Sequence, residues 1–226
     1  MNTERAVPAD QSLRAEQSVR AERPPHAERP DPADLALLRA AFGAGDGGAP
    51  ALGWAAVHAF EAEHGVVLPE PYRTCVAEVA DGSPAGPPDY GMTALAELPA
   101  CWGDDRPERD LSRPFPLTEA WSWEDDERPE EEIEPLVDRV FDHGSLVLGT
   151  DGCGMYWHLV ITGPGRGSVW HISGEGAVPF AARPAAQPAT AEPATAEPRH
   201  APGPAGGGFA AWVAHWAAGR PWFDGE

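Results

Sequence analysis

Lysine is absent from these 226 residues, so every basic side chain is arginine. Without it a phosphate loop of the GxxxxGK[ST] type has no cation to reach the phosphates, and that reading fails. Positive charge is scarce altogether: 16 basic residues stand against 36 Asp and Glu, a formal net charge of -20. Nucleic acid binding needs cationic groups to displace phosphate counterions, so a nucleic acid partner is excluded, and an anionic membrane surface is disfavoured for the same reason. No run approaches the ~20 apolar residues that span a bilayer. The opening "MNTERAVPADQSLRAEQSVRAERPP" has no apolar core for a signal peptide, and a cytoplasmic location is expected. Three cysteines without a CxxC pair make no disulfide framework. Cys75 and Cys101 are read as reduced packing residues. No serine sits in a GxSxG elbow, so serine-based catalysis has no support.

What the chain does have is apolar mass, with 42% hydrophobic residues and nine tryptophans, enough for a packed core. Alanine, glycine and proline abound, a composition typical of a GC-rich genome. Two segments cannot contribute to the core. Residues 1–33 carry a loose "RAEQSVRAERPPHAERP" repetition with no sustained period, and are read as a disordered tail. Residues 181–208 repeat "PATAE" and read as an extended, flexible linker. A single domain is therefore expected over 34–222, interrupted by that linker.

Asp34 is the expected N-cap of a helix "LALLRAAF", ended by "GDGG". Trp54, Val57 and Phe60 recur at helical spacing, and Gly65 fits a left-handed cap. After the "VVLP" break, Tyr72, Cys75, Val76 and Val79 share one stripe of a further helix that stops at Asp81-Gly82. The next stretches, "GPPDYGM", "PFPLTEAWSW", "GSLVLGT", "MYWHLVIT", "GSVWHIS" and "AVPF", are short, glycine-bounded and rich in aromatic and β-branched residues, as strands are. "GFAAWVAHWAAG" closes the chain with Phe209, Trp212, Val213 and Trp216 on one helical stripe. Helices, then strands, then a helix make an α+β fold.

"FEAEHGVVLPEPYRTCVAEVADGSPAGPPDYG", "GSLVLGTDGCGMYWHLVITGPGRGSVWHIS" and the tryptophan-rich terminal helix, taken in that order, resemble the SUKH superfamily. That group includes fungal regulators of cell-wall glucan synthesis and bacterial immunity proteins against toxins. The matching positions are Glu61, Leu68, Pro69, Tyr72, Asp81 and Gly82, then Gly149, Asp151, Gly152, Gly154, Gly167 and Val169. The long proline-alanine linker and an acidic run depart from the pattern. The resemblance implies a curved antiparallel sheet of about five or six strands, N-terminal helices and a C-terminal helix packed on the sheet. It implies protein binding without catalysis, and supplies no catalytic, metal or cofactor residues to carry over.

Two constellations could serve a function. In the first, "GPGRG" (163–167) is the natural loop of a hairpin in which Thr162 faces Ser168, Val160 neighbours Trp170 and Leu159 neighbours His171. Strand alternation then puts Tyr156, His158, Val160, Trp170 and Ile172 on one face and Trp157, Leu159, Ile161, Val169 and His171 on the other. Cys153, His158 and His171 are metal-ligand types, but the two histidines diverge unless the register slips by one residue. The even-numbered face, with Tyr156, His158 and Trp170, is either covered by helices or an exposed partner-binding patch. The Asp151-Gly-Cys-Gly segment is read as a turn or bulge in which glycines permit positive φ.

The second constellation is "EDDERPEEEIEP", residues 124–135. It lacks the glycine of a calcium loop, and consecutive acids with proline read as a solvated loop. Asp125, Asp126, Glu127, Glu130, Glu131 and Glu132 are the candidate groups for electrostatic capture of a basic protein partner. Three functions remain open: an immunity protein neutralising a toxin, a regulatory adaptor of the same fold, and a small metal-dependent enzyme using Cys153 and a histidine.

Overall fold

Asp31, three residues before the expected cap, starts the first helix: its side chain accepts the Ala33 N–H at 2.8 Å, and Pro32 takes the first helical position. The computed structural model describes residues 28–43, 48–95, 97–100, 102, 109–180 and 207–222. Residues 1–27 and 181–206, where the tail and most of the linker were expected, lie outside the described residues, as does Cys101.

Helices α1 (Pro32–Phe42), α2 (Trp54–His64) and α3 (Tyr72–Glu78) open the fold. Gly65 ends α2 in the left-handed conformation, φ 64°, as its sequence position predicts. The α2–α3 turn is fixed by Glu61, which is buried and accepts the Leu68 N–H at 2.9 Å and the Arg73 guanidinium at 2.7 and 2.8 Å.

Strands β1 (Trp121–Ser122), β2 (Ser145–Gly152), β3 (Met155–Val160), β4 (Val169–Ile172) and β5 (Gly176–Pro179) form one open antiparallel sheet in the order β1-β5-β4-β3-β2. "GPPDYGM" is no strand: Met92 makes isolated bridges to Ser83 and to Gly149 of β2, and Asp89 N–H donates to Asp151. At the β2–β3 turn Cys153 (φ 50°) and Gly154 (φ 78°) fill a two-residue loop, and both have the positive φ a type I′ turn requires.

The β3–β4 register differs from expectation by two residues. Leu159 faces Val169, His158 faces Trp170 and Trp157 faces His171. The hairpin closes at Val160 and Ser168, through Val160 N–H to Ser168 O (2.9 Å) and Gly167 N–H to Val160 O (2.8 Å). Ile161 and Thr162 leave the ladder because their N–H groups donate to Gly144 O instead. A two-residue shift preserves alternation, so every side chain keeps its expected face.

Each face has its own core. On the odd face Trp157, Leu159, Ile161 and Val169 meet α1, α2, α3 and helix α5 (Phe209–Ala217), with Trp212 5.7 Å from Trp157 between ring centres. On the even face Tyr156, Val160, Trp170 and Ile172 meet Trp102, Phe115 and the last turn of helix α4 (Glu130–Asp142). No helix among the described residues is long and apolar enough to cross a membrane.

Candidate partner-binding surface

The acidic run is half turn and half helix: residues 124–129 form an exposed turn, as expected, whereas 130–135 open a helix that was not expected. Pro129 precedes α4, and Glu130, Glu131 and Glu132 fill its first turn, where the helix dipole favours negative charge; Arg139 sits in the last turn. Ile133, Val137, Val140 and Phe141 recur at helical spacing and turn inward, with Val140 and Phe141 buried. Glu130, Glu131, Glu132, Glu134 and Asp138 are exposed. The helix therefore covers the even face of the sheet while presenting five of its six carboxylates to solvent, Asp142 alone being buried.

The turn before it is knotted by Asp126. That carboxylate accepts the Arg128 side chain at 2.9 and 2.6 Å, the Arg128 N–H at 3.1 Å and the Trp121 indole N–H at 2.8 Å. Hydrogen bonds from Arg128 first, then from Trp121, hold its pKa far below the usual carboxylate range. Ser122 Oγ donates to Asp125 at 2.8 Å. Of the six candidate acids, Asp126 is thus a structural group and Asp125 is tethered, while Glu127, Glu130, Glu131 and Glu132 stand exposed with no ion pair to a described residue.

The aromatic candidates lie elsewhere, inside the protein. Tyr156, His158 and Trp170 are 3%, 0% and 2% exposed. His158 Nδ1 meets Ser145 Oγ at 2.9 Å, Trp170 donates to Ser168 Oγ at 2.9 Å, and Trp102 lies edge-on to Tyr156 at 4.9 Å. The even face is closed by α4, Trp102 and Phe115 instead of open to a partner. The two histidines point to opposite faces, and Cys153 is exposed on its turn. Among the described residues no group of three or more His, Cys, Asp or Glu could hold a metal ion.

One feature escaped the sequence reading. Beside α4 runs a groove of about 340 Å³, lined by Pro116, Leu117, Glu119, Trp121, Arg128 and Leu136. Leu136 lies one turn beyond Glu132 on α4, a spacing that the sequence does contain, but the opposite wall comes from a segment 15 or more positions earlier. A second cleft of about 540 Å³ lies where α1, α3 and α5 begin, with Asp34, Glu70 and Arg166 on its walls. Burial raises the pKa of Asp34 and Glu70 there. Arg166 is engaged with Val67 O, Leu68 O and Glu28.

The positions that carry the family resemblance have structural roles. Glu61 pins the α2–α3 turn, Asp81 accepts the Leu95 N–H at 2.8 Å, Asp151 accepts the Trp157 indole at 2.7 Å, and Tyr72 packs edge-on against Phe209. Compared with known families, residues 55–184 match the model described as the SMI1 / KNR4 family (SUKH-1). No curated protein and no solved structure matches the chain.

Proposed function

Since the chain belongs to the SMI1 / KNR4 family (SUKH-1), we propose that it is a non-enzymatic protein-binding domain which neutralises a basic toxin partner by capturing it on the acidic surface of α4. The observation that carries this reading is the charge of residues 119–142: eleven carboxylates against two arginines, a net of -9. One of those arginines, Arg128, is already committed to Asp126. Glu127, Glu130, Glu131 and Glu132 project from a surface whose inner side is anchored by Val140 and Phe141, and apart from the favourable helix-dipole position of the three first-turn glutamates they make no ion pair with a described residue.

Such a field decays over ~8 Å at physiological salt, so it steers a basic partner and raises its association rate more than it slows dissociation. Affinity capture from the source organism followed by mass spectrometry identifies the partner. Association rates against ionic strength are then compared for the wild type and for a variant with Glu127, Glu130, Glu131 and Glu132 changed to Gln. The variant should associate more slowly and with a shallower salt dependence. Equal salt slopes reduce the acids to a solubility feature. Capture of an endogenous non-toxic protein instead favours the regulatory adaptor.

A further inference from the structure

We propose that the groove between residues 116–121 and α4 anchors a large apolar side chain of the partner, carried on a segment flanked by arginine or lysine. This rests on the reading of α4 as a capture surface, and adds what the acids alone lack, a place that selects one residue of the partner. The walls are apolar: Leu117 and Trp121 on one side, Leu136 on the other, each only partly buried. The rim is acidic, with Glu119 in the groove itself and Glu132 one helical turn before Leu136. Arg128, the cation in the wall, pairs with Asp126, lies over the Trp121 ring at 5.4 Å and also interacts with the Glu132 charge, so one cation stands against the three carboxylates of Glu119, Asp126 and Glu132.

An acidic segment would meet repulsion here, and a second copy of a chain with net charge -20 would meet it too. A purely cationic segment would leave Leu117, Trp121 and Leu136 wet. An aliphatic or aromatic residue between cations satisfies both walls and rim, the pattern of an interface anchor within a polar surround.

The test uses the full chain and two fluorescein-labelled arginine-rich peptides that differ only in a central leucine pair replaced by serines. Fluorescence anisotropy should give roughly tenfold tighter binding for the leucine peptide, a preference of about 1.4 kcal/mol. L117Q and L136Q, on separate elements and each checked for an unchanged thermal midpoint, should bring the two peptides to nearly equal affinity. Equal binding of both peptides by the wild type, or a preference that survives both substitutions, overturns the anchor while leaving acidic capture standing. Salt-independent or absent binding of both peptides overturns acidic capture as well.

Discussion

The Arg128 guanidinium clamps the Asp126 carboxylate, two residues earlier, through hydrogen bonds of 2.9 and 2.6 Å, and Trp121 closes on the same carboxylate at 2.8 Å. Within one acidic run, neighbouring side chains of the same charge therefore have opposite roles. Asp126→Asn keeps an acceptor for Trp121 but loses the bidentate charged pair, so it should lower the thermal midpoint by a few degrees. Glu131→Gln, in the first turn of α4, should change it far less. Calorimetry of the two variants checks this, and equal midpoints would show that the clamp adds nothing to the turn.

The Glu61–Arg73 pair is the most buried Arg–carboxylate pair among the described residues of the helical layer. Its side chains are 8% and 14% exposed, and Glu61 also serves the Leu68 N–H. Truncating one member strands the other charge in a poorly solvated place. Glu61→Ala should therefore destabilise the protein by about 3 kcal/mol, and the Glu61→Ala/Arg73→Ala double variant by less than the sum of the two single changes. Urea denaturation of the three variants measures the coupling. Additive losses would mean that the two groups act independently.

Gly149 is a matter of space. Its φ is unremarkable, but an added Cβ would press into Pro88 Cδ and come within 2.6 Å of Gly91 O, where the 86–92 segment crosses the bulge in β2. Gly149→Ala should cost about 1–3 kcal/mol, as overpacking does. Gly154→Ala, at a positive φ with nothing within 4 Å, tests backbone strain without crowding and should cost about 1 kcal/mol. Denaturant midpoints of both variants separate the two effects; a neutral Gly149→Ala would show that the 86–92 segment yields freely.

The α+β order, the C-cap of α2, the two faces of the sheet and the β2–β3 turn were all legible, because each follows from local periodicity or from a glycine at a turn. Helix α4 was not read as one. Pro135 and nine consecutive polar or proline residues (124–132) masked it, although Pro129, three glutamates in the first turn and the Ile133, Val137, Val140, Phe141 stripe are its signals. The β3–β4 register was missed because Gly144, distant in sequence, takes the N–H groups of Ile161 and Thr162. Whether the even face was open or covered depended on Trp102, Phe115 and α4, whose positions alternation alone does not specify. The candidate acids were visible as a run, but their division into Asp126 and the rest needed Trp121 and Arg128 in three dimensions. The groove needed two segments brought side by side.

His171 gives the fold a pH dependence with a definite sign. It is buried on the odd face, its ring 4.9 Å from that of Trp157, with Nε2 3.9 Å from the Asp151 carboxylate. Burial lowers its pKa from the ordinary 6.5, and the nearby Asp151 opposes but does not cancel that effect. Above pH 6.5 the imidazole is neutral in both folded and unfolded chains, and the stability linked to it is fully present. As pH falls below 6.5 the unfolded chain takes up the proton first, so stability is lost down to the lower, folded-state pKa. The contribution to the slope is at most about 1.4 kcal/mol per pH unit. Unfolding free energies from urea titrations between pH 5 and 7.5 should therefore fall more steeply for the wild type than for His171→Gln, with parallel curves above pH 7. Asp151→Asn removes the opposing charge while keeping an acceptor for Trp157, so the decline should continue to lower pH than in the wild type. Wild-type and His171→Gln curves that stay parallel throughout would place the acid sensitivity on other groups.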